Sequence, residues 1–341
     1  MAEAPQVSVI IPTHQRPEEL RAALHALGEQ SLPGEAYEVV VAVDGASGGA
    51  AEMVAELSTP YALRGIDAPG RGRAAACNAA IAEARGEVLL VLDDDMEAAP
   101  ELVERHHRHH APGTRLCVLG AVPVVPGSAS RGAASYVKEK FDLHLARLAD
   151  PEYLNLPRSF YTGNASLRAE LMREVGGFDE RFTVYGNEDV ELALRLRAAG
   201  ATLRYDPDAV ARHRYGKDLR GLAADTLAKG RTTVLLARMH PEVFGALRLS
   251  APGESSRPWL AARAVLLRLT RRGPGVSRAV CAVASALERL GLWRAPLFYR
   301  AVLDYAFWTG VDSELGDSDG GALAGLATEL NRGPIDLLRH G

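Results

Sequence analysis

The chain has 341 residues, with 43 acidic against 39 basic side chains for a formal charge of -4, and a hydrophobic share of 47%. That length suits about two domains, or one large domain with an appendage, and a core that needs no disulfide support. The small net charge argues against binding driven by a field over the whole protein, whether to nucleic acid or to an acidic partner.

The three cysteines, Cys77, Cys117 and Cys281, are far apart and form no CxxC pair. Buried free thiols in a reduced compartment fit them better than a disulfide framework or a zinc site. The opening MAEAPQVSVIIPTHQRP lacks a basic stretch leading into an apolar one, so no signal peptide is expected. No apolar run reaches the roughly 18–20 residues of a spanning helix. A cytoplasmic protein is expected.

In chain order, VSVII (7–11) is a β-branched run stopped by Pro12, and RPEELRAALHALGEQ follows with helical apolar spacing and a proline at its start. EVVVAV (38–43) predicts a second strand ending at Asp44-Gly45. A helix near 48–57 and a weaker strand near 61–66 come next, then the helix RAAACNAAIAEARGE with glycine after its last turn. EVLLVL (87–92) is a further strand, PELVERHHRHH a helix begun by Pro100, and RLCVLGAVPVV (115–125) another strand. Residues 131–215 read as mixed, with glycine-rich turns and then a helix from Glu188 to Gly200. Beyond 216 the pattern is mostly helical, and GDSDGGALAGLA reads as a loose linker.

Strands that are apolar throughout, alternating with helices, predict an α/β fold around a mostly parallel sheet covered on both faces. Ligand sites in such sheets lie off the carboxyl ends of the strands, where Asp44 and the triplet Asp93, Asp94 and Asp95 fall. Three readings of the triplet remain open. It is a solvated loop whose last aspartate caps the following helix. It is the acidic partner of a dinucleotide site, since Gly70-Arg-Gly72-Arg-Ala-Ala75 fits GxGxxA about 20 residues upstream. Or it is a hard-cation site in which Asp-x-Asp and substrate phosphates share a divalent ion, which would offset the repulsion among the acids.

Four segments together carry a family resemblance. VSVIIPTHQRP, VVVAVDGAS, GRGRAAACNAAIAEARGEVLLVLDDDM and TGNASLRAELMREVGGFDERFTVYGNEDVELALRLRAAG, in this order, resemble family 2 glycosyltransferases. These are nucleotide-sugar-dependent enzymes of the GT-A fold, and the resemblance covers residues 7 to 215. It implies a GT-A catalytic domain over 1–215, with a nucleotide-binding half (1–125) and an acceptor half (126–215), and a helical extension over 216–341.

By the same resemblance Pro12, Thr13 and Asp44 lie against the nucleobase, Asp93 faces the ribose or nucleotide, and Asp94 supports either that contact or the metal. Arg16, Arg73 and Asn78 complete the nucleotide-sugar contacts. Asp95 and His213 hold the metal, Arg214 and Lys217 the diphosphate. Asp189 of the Glu188-Asp189 pair is the general base of an inverting displacement. An imidazole ligand suits Mn²⁺ better than Mg²⁺, so manganese is favoured. The implied partners are a nucleotide-sugar donor, UDP-linked as first expectation, and a glycan, lipid-linked or small-molecule acceptor. No nucleic-acid partner is expected. Two alternatives are a non-catalytic relative that binds nucleotide sugars or glycans, and an NAD-dependent dehydrogenase using Gly70, Gly72 and Ala75.

The sequence departs from the family at Cys77, where many members place arginine before the asparagine, so any phosphate contact made there is absent or is replaced by Arg71 or Arg73. Asp44 is followed by Gly-Ala-Ser-Gly-Gly, without the second acid often found nearby. HHRHH (106–110) puts histidines on neighbouring helix faces; it is read as a solvated face rather than a second metal site. Residues 251–300 hold nine arginines against two glutamates among aromatic and aliphatic residues, a pattern compatible with peripheral contact at the inner face of a membrane.

Overall fold

A computed structural model gives the structure of the chain, describing residues 4–45, 48–126, 131–250, 256–273, 275–290 and 296–315. The GDSDGGALAGLA stretch lies outside the described residues. The chain divides into two compact units. Met1–Val125, Lys138–Thr183 and Glu188–Tyr215 form the first; Pro126–Val137, Val184–Asn187 and Gly216–Gly341 form the second.

The described residues of the first unit carry strands β1 (Val7–Thr13), β2 (Tyr37–Asp44), β3 (Ala62–Ala68), β4 (Val88–Leu92), β5 (Met96–Ala98), β6 (Leu116–Ala121), β7 (Val124–Pro126, its last residue in the second unit), β8 (Asn164–Arg168) and β9 (Thr202–Tyr215). They form one sheet in the order β3-β2-β1-β4-β8-β6-β9-β5, with β7 beside β9. β3, β2, β1 and β4 run parallel, while β8 is antiparallel to both β4 and β6.

Every residue of β1 and β4 is buried, as a strand covered on both faces requires. Side chains alternate across the sheet. Val7, Val9, Ile11, Val39, Val41, Leu90 and Leu92 meet Leu20, Leu24 and Leu27 of helix α1 (Pro17–Leu27) on one face. Helix α2 (Ala50–Glu56) adds Met53 and Val54 there. On the other face Ile10, Val40, Leu89 and Val91 meet Ala74, Ala76, Cys77 and Ala80 of α3 (Arg73–Glu83). The small side chains of α3 let the helix lie close to the sheet.

Two segments differ from the pattern read in the sequence. Asn164–Arg168, which falls in the stretch read as glycine-rich turns, is a fully buried strand in the middle of the sheet. Its polar Asn164 and Ser166 hide it from a hydrophobicity reading. The second is HHRHH. Helix α4 covers only Leu102–His107, and its spacing puts His106 on the same face as Leu102 and Val103. His106 and His110 are therefore buried, not solvated. Both contact Ser166 Oγ at 2.7 Å, and His106 Nε2 lies 2.9 Å from Asn164 Oδ1. β8 hides these polar groups by pairing them with the histidines.

Helices α5 (Arg131–Leu148), α6 (Leu156–Ser159), α7 (Ala169–Val175) and α8 (Glu188–Ala198) complete the chain to β9. The second unit holds α9 (Leu219–Met239), α10 (Arg257–Thr270), α11 (Gly275–Arg289) and α12 (Pro296–Leu315). Val234, Ala237, Phe244, Phe307, Trp308 and Val311 form one of its cores. The buried Asp304 accepts hydrogen bonds from Arg263 and Trp259 within it. No helix among the described residues is long and apolar enough to cross a membrane.

Burial pushes His106 down to about 4 and His110 down to about 3. Both sit below the unfolded value of about 6.5, so the unfolded chain takes up protons that the folded chain does not. The stability they permit is present above pH 6.5 and falls as the pH drops towards 4. Urea unfolding at pH 5.0 should show a loss of roughly 1–2 kcal/mol per histidine relative to pH 7.5, and His110→Gln should reduce that loss.

Candidate active site

The parallel register assembles the site. Ile10 pairs with Val91 and Thr13 with Val43, so the ends of β1, β2 and β4 open at one edge of the sheet. Thr13, Asp44 and the Asp93–Asp95 triplet stand there together. The geometry distributes the three acids among different partners. Asp93 forms an ion pair with Arg73 at 2.6 Å. Asp94 is buried and accepts from Thr13 Oγ1 at 2.7 Å and from Arg16 Nη1 at 3.3 Å. Asp95 Oδ2 lies 3.0 Å from Arg16 Nη1 and 3.3 Å from His213 Nε2.

His213 reaches this edge because β9 pairs antiparallel with β5 and sets His213 opposite Met96. The rings of Phe141 and Tyr215 meet its imidazole edge-on, with centroids 6.3 and 5.6 Å away. Its Nδ1 is buried without a hydrogen-bond partner among the described residues, and Nε2 is the ring atom turned to Asp95.

Burial pushes the Asp94 carboxyl up to about 6, against the opposing pull of Arg16 and Thr13. Burial also opposes the charge on Arg73, but Asp93 foremost and Glu188 among others outweigh it and hold its pKa well above the ordinary arginine value. Arg73 also donates to Thr162 Oγ1 at 2.9 Å and lies 6.0 Å from the Phe178 ring centroid. Its Nη1 stands 3.9 Å from Glu188 Oε1. One guanidinium thus ties the acidic triplet to the Glu188-Asp189 pair at the start of α8. Asp189 is half-buried, its Oδ1 accepting the Val190 N–H at 2.8 Å.

Asp44 accepts the Gly72 N–H on Oδ2 at 3.0 Å, while its buried Oδ1 has no partner among the described residues. That amide belongs to the GxGxxA stretch. It is turned towards a carboxylate rather than offered to a pyrophosphate, which removes the basis of the dinucleotide reading. Pro12 lies in β1 opposite Ala42.

Other expected contacts go elsewhere. Asn78 accepts the Phe178 N–H and donates to the Phe178 carbonyl, both at 2.8 Å, so its amide holds the 177–180 turn instead of facing the strand ends. Arg71 pairs with Glu180, leaving Arg73 as the arginine of this helix start that reaches the acids. Cys77 is fully buried, and burial pushes its thiol up to about 12. Arg214 pairs with Glu97 in the first unit, and Lys217 with Asp225 at 2.6 Å in the second. Sequence reasoning missed Thr162 and Gly163. A Cβ on Gly163 would stand 2.8 Å from Asp93 Oδ2, so the glycine makes room for that carboxylate.

Among the described residues, no group of three or more His, Cys, Asp or Glu could hold a metal by itself. Asp95 and His213 supply two donors converging on one point, a set that fits a divalent ion whose remaining oxygens come from water and a bound ligand.

Residues 8–176 match the family model described as glycosyl transferase family 2. The chain belongs to this family. Residues 144–215 also match a model described as the N-terminal domain of galactosyltransferase. Among family relatives, the pre-mycofactocin glycosyltransferase of Mycobacterium tuberculosis is 31% identical over 257 residues, covering 70% of this chain and 53% of the relative. The validoxylamine A glucosyltransferase of Streptomyces hygroscopicus is 30% identical over 239 residues, covering 63% and 52%. A Bacillus subtilis glycosyltransferase, YfnE, is 29% identical over 254 residues, covering 61% and 64%. The chain thus spans about half to just under two-thirds of the length of these relatives. A mannosyltransferase of Pyrobaculum calidifontis, solved with GDP-Man and Mn²⁺, has the same GT-A fold, with a TM-score of 0.59 at 22% identity over 93% of this chain and 89% of that one.

Gly72 and Gly163 should respond differently to alanine. Gly72 has φ 94° and ψ 176°, and a Cβ there would stand 2.5 Å from the Thr183 carbonyl oxygen. Gly72→Ala should cost roughly 1–3 kcal/mol in urea unfolding. Gly163→Ala meets only side-chain ends, Asp93 Oδ2 and Met96 Cε, rather than backbone, and should cost less than Gly72→Ala, about 1 kcal/mol.

Proposed function

We propose that the chain transfers a sugar from a nucleotide-diphosphate donor to an acceptor hydroxyl, with inversion and with the help of a divalent metal. The observation that carries this reading is the convergence of Asp95 and His213 at the sheet edge that also presents Thr13, Asp44 and Asp93. Asp44, whose Oδ1 has no partner among the described residues, would offer an acceptor to a nucleobase N–H. Uracil and guanine both present one; UDP is the first expectation, and GDP is the nucleotide of the Pyrobaculum structure.

Asp95 and His213 would hold the metal, manganese before magnesium, and the ion would supply positive charge to the departing diphosphate. Asp93, fixed by Arg73, would orient the nucleotide. The acceptor oxygen attacks the anomeric carbon, the bond to the diphosphate breaks with its electron pair, and a carboxylate takes the acceptor proton. Burial favours Asp189 as that base: Glu188 is buried against Arg73, whereas Asp189 is only half-buried. Arg214 would serve the diphosphate only on release from Glu97.

The acceptor class stays broad: glycan, lipid-linked or small molecule. The second unit supports peripheral contact with an anionic membrane surface. Val283 and Leu290 are 58% and 77% exposed. Arg257 and Arg268 of α10, Arg278 and Arg289 of α11, and Arg272 in the turn after α10 have no carboxylate partner among the described residues. Arginines beside exposed aliphatic side chains suit a surface that is both anionic and apolar beneath its headgroups.

Asp189→Asn should lower transfer by about 100-fold or more while donor binding stays within about threefold, measured by product formation and calorimetry side by side. Undiminished turnover would refute the base assignment. Loss of both would point to a folding defect, and binding without turnover in the parent would favour the non-catalytic alternative. In vesicle flotation the chain should rise with anionic but not neutral phospholipid, and Arg268→Glu with Arg272→Glu should release it. Equal recovery on neutral vesicles would refute the charge-based contact.

A further inference from the structure

We propose that Arg16 is a resident counter-ion for the cation position. It holds Asp95 until donor and metal arrive, and then transfers to the donor diphosphate. This rests on the metal-dependent reading above and adds a specific coupling to it. The starting observation is that Asp95 Oδ2 stands 3.0 Å from Arg16 Nη1 and 3.3 Å from His213 Nε2. The guanidinium therefore claims the carboxylate oxygen that, with His213 Nε2, would hold the metal. A divalent ion bound to that oxygen would sit within a few ångströms of Arg16, and two cations at that distance repel.

Two arginines neutralise the triplet, and their surroundings divide the work. Arg73 is pinned by Asp93, by Thr162 Oγ1 and carbonyl, and by the Phe178 ring, with its side chain 20% exposed. Arg16 is held by the two carboxylates alone among its described hydrogen bonds, with its side chain 33% exposed. It precedes Pro17 at the start of α1, on the loop leaving β1 at the open edge of the site. If Arg16 swings away, Asp94 keeps the Thr13 hydrogen bond, so one acid is not stranded. Arg16 is thus the releasable cation.

Its destination follows from charge. Two guanidiniums already offset two of the three triplet carboxylates, so a divalent ion brings added positive charge beside Arg16. A diphosphate brings the compensating charge and accepts the planar fork of an arginine. Metal alone has to displace Arg16 with nothing to receive it. Metal and diphosphate together offer Arg16 a new partner, so each raises the other's affinity.

Titration calorimetry of the full chain with Mn²⁺, alone and then with UDP or GDP present, tests this. In the parent, the nucleotide should raise Mn²⁺ affinity by about tenfold or more. In Arg16→Gln, Mn²⁺ alone should bind about tenfold tighter than to the parent, and the nucleotide enhancement should fall by at least that factor. Arg16→Lys keeps a cation without the fork and should stay nearer the parent, which guards against a folding defect in the glutamine variant. Thermal unfolding in EDTA gives a second reading. Arg16→Gln should melt below the parent, and Mn²⁺ should restore it by a larger shift than the parent shows. Unchanged or weaker Mn²⁺ binding by Arg16→Gln, with the nucleotide effect intact, would reduce Arg16 to a structural ion pair and overturn the inference while leaving the metal reading standing. No Mn²⁺ binding by the parent with either nucleotide would overturn both.

Discussion

Three carboxylates on consecutive residues can share the end of a buried strand only if cations and donors stand within reach of each. That constraint organises the first unit. β4 is buried along its whole length and delivers Asp93, Asp94 and Asp95 to the sheet edge. Each acid is then met from a different direction: Arg73 from the start of α3, Thr13 and Arg16 from the end of β1, and His213 from β9. The repulsion among the acids is offset without joining them into a single closed cluster.

The same economy of polar groups recurs in the core. β8 carries Asn164 and Ser166 through the middle of the sheet, where unpaired polar atoms would be destabilising. His106 and His110 pair with them from the α4 side. The residue preceding β8, Gly163, leaves room for the Asp93 carboxylate. The histidine network and the acidic edge are thus built on adjacent positions of one strand and its approach. This is why a strand with little apolar character is placed at the centre.

The site divides into fixed and releasable parts. Arg73 is tied to Asp93, Thr162 and Glu188, so the geometry between the triplet and the start of α8 is held without any ligand. Arg16 has fewer attachments and more exposure. Such a division suits a site that must stay folded with its charges balanced from within, yet accept a more highly charged ligand. The chain that carries this site belongs to glycosyl transferase family 2 and shares the GT-A fold with a mannosyltransferase.

Much of this was legible in the chain itself. The apolar runs at 7–11, 38–43 and 87–92 determine a covered parallel sheet, because only such a sheet buries both faces of a strand. The acids at their ends, with the ordered motifs, marked the edge where a ligand would lie. Partner choice was not legible. Arg71 and Arg73 are indistinguishable in sequence, yet one pairs with Glu180 and the other with Asp93. Asn78 looked like a ligand contact and holds a turn. His106 and His110 looked solvated and are buried, since α4 stops before His110 and β8 lies against them. Periodicity along a chain reports which face of an element is apolar. Which polar atom meets which is set by strand register and helix ends, and those exist only once the sheet is assembled.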